Sequence, residues 1–142
     1  SSDVCSSDLT VIPKEANDSF GILLKSDWEA SGCLFLEFDV AMQRVSLLSL
    51  PMGVDPFWEQ SCQAVPKATE PGPDGVRVAE KTFAIENGVA IDVKISVDHD
   101  MVEVFVGEQV AFTYRIFRKP EYELGLLAQD AKVEFANIAI RK

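Results

Sequence analysis

Apolar side chains recur at every second position through Ile91, Val93, Ile95 and Val97, with Asp92, Lys94, Ser96 and Asp98 between them. A backbone that sends successive side chains to opposite faces is a β-strand, so this segment has one buried face and one wet face. The next segment keeps the period: Val102, Val104 and Val106 point one way, and Met101, Glu103 and Phe105 the other. Asp98-His99-Asp100 lies between them and consists of turn-favouring residues, which predicts a hairpin. Gly107-Glu108 then places glycine first in a short turn, as type II′ prefers, before a strand over residues 109–117. Val110, Phe112, Tyr114 and Ile116 form the apolar face of that strand, and Pro120 ends it.

Two more strands follow, over residues 122–129 and 132–141, with Asp130-Ala131 read as the turn between them. In the last one Val133 and Phe135 share a parity that Ile138 and Ile140 do not, which predicts a bulge near Ala136-Asn137. The front half reads similarly, with strands over residues 20–25, 33–39 and 44–48. Residues 50–75 carry Pro51, Pro56, Pro66, Pro71 and Pro73 and cannot hold a regular ladder. A loop of that length is expected to be functional or to pack on a neighbour. Short strands without βαβ spacing predict an all-β chain, an antiparallel two-sheet β-sandwich of the jelly-roll or concanavalin-like kind.

The 142 residues are 47% hydrophobic, which fits one domain that buries a real core without disulfide or metal staples. Asp and Glu number 23 against 13 Lys and Arg, a net charge of −10 that repels nucleic acid and anionic lipid surfaces. No apolar stretch approaches the roughly 18 to 20 residues of a membrane-spanning helix.

The first nine residues, SSDVCSSDL, have neither the cationic nor the apolar region of a signal peptide. They fit the codons AGT TCA GAC GTG TGC TCT TCC GAT CT, which resemble the end of a common sequencing-library adapter. Residues 1–9 are therefore expected to be a non-native tail outside the fold, with a β-sandwich domain over residues 10–142. On that reading the natural protein continues upstream and this chain is a C-terminal piece. Setting the tail aside removes Asp3 and Asp8, taking the net charge from −10 to −8, and leaves Cys33 and Cys62 as the cysteines.

Few residues have a pattern that carries chemistry. His99 is the only histidine, which excludes a two-His metal site, and its place in a turn reads as solvated. The cysteines lack CxxC spacing, and GxSxG, GxGxxG and GxxxxGK are absent, so no cofactor or metal is expected. Glu103, mid-strand between Val102 and Val104, has two readings. One is a partly buried carboxylate of raised pKa; the other, which we favour, is an outer-face Glu or one paired with a cation such as Arg115. Phe57-Trp58 in the proline-rich loop can stack on a sugar ring or plug the loop onto the core or a neighbouring domain.

Residues 97–116, VDHDMVEVFVGEQVAFTYRI, resemble the signature hairpin in the C-terminal β-sandwich of glycoside hydrolase family 32, the invertases, levanases and inulinases. Asp98, Glu103, Phe105, Thr113 and Arg115 match its pattern. Asp100 stands where the family usually has Ser, and Gly107 where Asn is common. FGILLKSD and ELGLLAQDAKVEFANIAIRK are similar to its flanking strands, so the likeness spans residues 20–142. The resemblance implies that catalysis belongs to an upstream five-bladed propeller with Asn-Asp-Pro, Arg-Asp-Pro and Glu-Cys motifs. None of these occurs here; the single Asp-Pro, Asp55-Pro56, follows Val54. It further implies a parent that hydrolyses fructosidic bonds in sucrose or fructans with two carboxylates, and that this chain itself supplies no catalytic residue.

Three functions remain open from sequence. The chain is an accessory sandwich of such a hydrolase, a free-standing lectin-like carbohydrate-binding module acting through residues 50–75, or an interaction domain that pairs by its sheet edges.

Overall fold

The computed structural model describes residues 4–25, 33–49, 76–99, 101–115 and 123–141. Eight strands are present among them: β1 (Val4–Lys25), β2 (Cys33–Asp39), β3 (Arg44–Ser49), β4 (Val76–Thr82), β5 (Ile91–Asp98), β6 (Met101–Val106), β7 (Val110–Arg115) and β8 (Glu123–Arg141). The ladder runs β4-β3-β2-β1-β5-β6-β7, with β8 on the other side of β1. All pairings are antiparallel.

The long strand β1 organises this path. Its first half pairs with β5, from Val4↔Asp98 to Val11↔Ile91, and its second half with β2, from Ser19↔Asp39 to Lys25↔Cys33. Two wings thus grow from one strand, β2-β3-β4 and β5-β6-β7. Between the halves the inward parity passes from Leu9 and Val11 to Phe20, Ile22 and Leu24, and the register against β8 shifts at Pro13/Glu15 and Ala16/Ser19. Bulges of this kind let a strand turn the corner from one sheet to the other. Pro13, which has no N–H for a ladder, sits at the corner, and its carbonyl accepts from Gly88 N at 2.6 Å.

The wings pack on each other through their apolar faces. Ile22, Leu36, Phe38, Val45 and Leu47 on one side and Val93, Ile95, Val102, Val104 and Val106 on the other are all at most 2% exposed. Phe38 stacks on Phe20 with centroids 5.0 Å apart and meets Phe83 edge-on at 6.2 Å. The void bounded by Ile22, Leu34, Leu47, Ile95 and Val104 is about 10 Å³, too small for a ligand. This is the all-β sandwich that the alternation predicts.

Gln43 holds the connection between the wings. Its φ of 49° turns the β2–β3 link, and its side chain accepts from Ile85 N at 2.7 Å and donates to the carbonyls of Val40 and Ile85. Gly21 lies where β1 passes close to β2: a Cβ there would overlap the Leu36 carbonyl oxygen.

Two expectations are corrected, and one strand is added. Residues 4–9 are not a tail outside the fold, because Cys5, Ser7 and Leu9 alternate with Ser6 and Asp8 and fill the slot between β5 and β8. Leu9 is 3% exposed and Ser7 fully buried. Asp130-Ala131 does not reverse the chain: β8 runs on for 19 residues, and Asp130, with φ 44°, bends it where β1 bends. Val76–Thr82, which sequence reading left unassigned, pairs with β3 as an edge strand. The expected bulge is present: one extra β8 residue stands between Asp8↔Ala139 and Thr10↔Ala136, with Asn137 at φ 55°. The proline-rich loop, including Phe57 and Trp58, lies outside the described residues.

Candidate functional site

The inward valines of β5 and β6 leave the alternate positions on the outer face of the β5-β6-β7 wing. Register aligns these in rows. Asp98 faces Met101, which faces Arg115; Ser96 faces Glu103, which faces Thr113; Lys94 faces Phe105, which faces Ala111. Asp98, Glu103, Phe105, Thr113 and Arg115 therefore share one exposed surface. Glu103 is on the outer face, its direct neighbours being Ser96 and Thr113, with Arg115 diagonal to it. His99 is exposed after the end of β5 at φ 56°, next to the Asp98 carboxylate. At the other end of this hairpin pair, Gly107 opens the β6–β7 turn at φ 58°, with Gln109 N donating to Val106 O at 3.4 Å.

The rows continue onto β1 and β8, where the surface deepens into an open groove of about 340 Å³ lined by Asp8, Thr10, Asp92, Lys94, Phe105 and Asn137, among others. Thr10 faces Asp92 across the β1–β5 ladder and donates from Oγ1 to Asp92 Oδ1 at 2.9 Å. Asn137 Nδ2 donates to Thr10 Oγ1 at 3.5 Å, so hydrogen bonds link β8, β1 and β5. Gly107 N donates to the Asp92 carbonyl at 2.7 Å, which fixes the backbone beneath. On one flank Arg141 pairs with Asp8 at 2.6 Å. On the other, Phe105 is 40% exposed.

Sequence reading found Phe105 but not its neighbours. The outward parity of Asp92 and Lys94 was legible, whereas Thr10 and Asn137 join them from 82 and 45 residues away along the chain. Among the described residues no group of three or more His, Cys, Asp or Glu side chains is placed to hold a metal ion. Cys5 is a free thiol.

Comparison with known proteins bears on the whole chain. The family model "Glycosyl hydrolases family 32 C terminal" matches residues 5–142, which takes in residues 5–9 of the segment read as a tail. Among curated proteins no sequence matches. Among solved structures, the carbohydrate binding module CBM66 from Bacillus subtilis is similar with a TM-score of 0.70 at 12% identity, over 99% of this chain and 76% of that one. Ligand-free congerin I has a TM-score of 0.63 at 12% identity, over 96% and 90% of the two chains. Chicken galectin 2 has 0.62 at 14%, over 96% and 89%. At these identities the likeness is one of fold.

Proposed function

The chain belongs to the C-terminal domain family of the family 32 glycosyl hydrolases, and from that premise we propose that it is the accessory β-sandwich of a hydrolase acting on fructosidic bonds in sucrose or fructans. The observation that carries this reading is the family match over residues 5–142. The catalytic carboxylates then belong to an upstream propeller of the same parent chain, and this domain braces it. Two surface features support the assignment. Glu103 and its signature neighbours are spread over an open sheet face instead of converging across a cleft, so no facing carboxylate pair is formed there. Toward the two ends of β8, Leu126 with Leu127 and Ile138 with Ile140 are 40–47% exposed, apolar surface of the kind that a neighbouring domain covers.

Recovery of the coding sequence upstream of residue 1 tests the proposal. The expected result is an open frame with Asn-Asp-Pro, Arg-Asp-Pro and Glu-Cys motifs, whose full-length product releases fructose from sucrose, levan or inulin. A stop codon followed by a start just before Thr10, or an upstream domain without those motifs, overturns it.

A further inference from the structure

The groove on the β5-β6-β7 wing serves no purpose in the accessory role, and its chemistry is specific enough to name a ligand class. We infer that it is a binding subsite for a neutral saccharide, held by Thr10, Asp92 and Asn137 through its hydroxyl groups and by Phe105 through an apolar ring face. This goes beyond the accessory reading and does not rest on it, since a domain can brace a catalytic unit with one surface and hold a glycan with another.

Three properties of the site lead there. The first is hydrogen-bonding capacity. A sugar hydroxyl is both donor and acceptor, and adjacent hydroxyls are best met by side chains offering two polar atoms in one plane. Asp92 and Asn137 are such side chains, and the Thr10 hydroxyl links them at 2.9 and 3.5 Å across three strands. Their backbone positions are fixed by the β1–β5 ladder, by the Gly107 contact and by the bulge that sets Asn137 at φ 55°, so little ordering is needed on binding.

The second property is the exposed ring. Phe105 stands opposite Lys94 with 40% of its surface open, and a phenyl face beside charged and amide groups suits a molecule with one apolar face and polar edges. The groove volume of about 340 Å³ lies at the lower end of small-molecule sites, which matches one or two sugar rings.

The third is charge. Asp8 and Asp92 line the groove, balanced by Arg141, which pairs with Asp8, and by Lys94, so the groove offers a phosphorylated or acidic sugar no surplus of positive charge and suits neutral ones. Thr10, Asp92, Lys94, Phe105 and Asn137 lie outside residues 1–9, whereas Asp8 and Leu9, which also line the groove, belong to that segment.

The test is a titration of the full 142-residue chain, isotopically labelled, with levan and inulin oligosaccharides, sucrose, galactose and lactose in separate arms, read by amide chemical shifts and calorimetry. At least one neutral saccharide is expected to bind, with shifts centred on Thr10, Asp92–Lys94, Phe105–Gly107 and Asn137. Phe105→Ala and Asp92→Asn are each expected to weaken binding tenfold or more with Tm essentially unchanged, while Arg77→Met on the opposite wing leaves binding as it was. Should a groove variant fail to fold, the wild-type shift map alone decides. Absence of binding to every arm at 10-fold excess over about 1 mM, shifts centred elsewhere, or undiminished affinity in both groove variants overturns the inference.

Discussion

The two wings share a core but finish their outer faces in opposite ways. On β2-β3-β4 charged side chains pair with one another across the face. Arg44 reaches Glu80 at 3.1 Å and Asp39 at 3.4 Å, and Arg77 reaches Glu37 at 3.3 Å and the buried Ser46 hydroxyl at 3.1 Å. Phe35 and Leu48, opposite each other in the ladder, are buried on the same wing. On β5-β6-β7 the outer face is open, with Phe105 and Met101 exposed and a groove where the face meets β1 and β8. The same fold therefore supplies one wing whose outer face carries a network of ion pairs and one whose outer face opens into a groove, where Thr10, Asp92 and Asn137 share two hydrogen bonds.

Substitutions can break or sharpen this contrast. The largest effect is expected at the shared core: Phe38→Ala removes the ring stacked on Phe20 and should cost about 4 kcal/mol in urea unfolding. Hydrogen exchange should report loss of both wings in one transition, and separate transitions would show that the wings do not share a core. Next comes Leu9→Ala, which empties a buried position between β5 and β8 and should cost about 2–4 kcal/mol. A change below about 0.5 kcal/mol would mean that residues 4–9 do not dock on the open wing. Gly21→Ala forces a methyl group into the Leu36 carbonyl and should destabilise by about 1–3 kcal/mol, read by thermal melting, with the β1–β2 amides losing protection first. Normal stability there would contradict the close approach of those strands.

The smallest effect is expected on the ion-paired face. Arg77→Met should change stability by about 1 kcal/mol or less, and the difference should shrink in high salt, because half-exposed ion pairs are screened. A large, salt-independent loss would mean that the network is a structural clamp instead of a surface feature, and the contrast between the wings would need another cause.

How much of this was legible depended on distance along the chain. The β5–β6 hairpin and the Gly107 turn could be read directly, because alternation and turn chemistry act within a few residues. β4 escaped notice because Val78 and Ala79 are adjacent and break the period, and a register shift lies opposite them between Leu47 and Leu48. Asp130 misled for a related reason: a residue at positive φ suits a hairpin turn and a bend equally, and only continuous pairing with β1 on both sides distinguishes them. Residues 4–9 look like a tail in isolation and become a strand because two partners, from residues 91–98 and 136–141, flank the slot. Of the groove, Asp92, Lys94 and Phe105 could be placed on one face, whereas Thr10 and Asn137 could not be added to it.

Alternation with period two fixes, from local sterics alone, which side chains of each strand face the core, and with that an all-β sandwich. It also assigns Asp98, Glu103, Phe105, Thr113 and Arg115 to a common outer parity. What lies beside each of them across the sheet depends on the register of strands far apart in sequence, set by the bulges at Pro13, Ala16 and Asn137. Only the tertiary structure could therefore decide that one outer face carries a network of ion pairs while the other brings Thr10, Asp92, Asn137 and Phe105 around a groove.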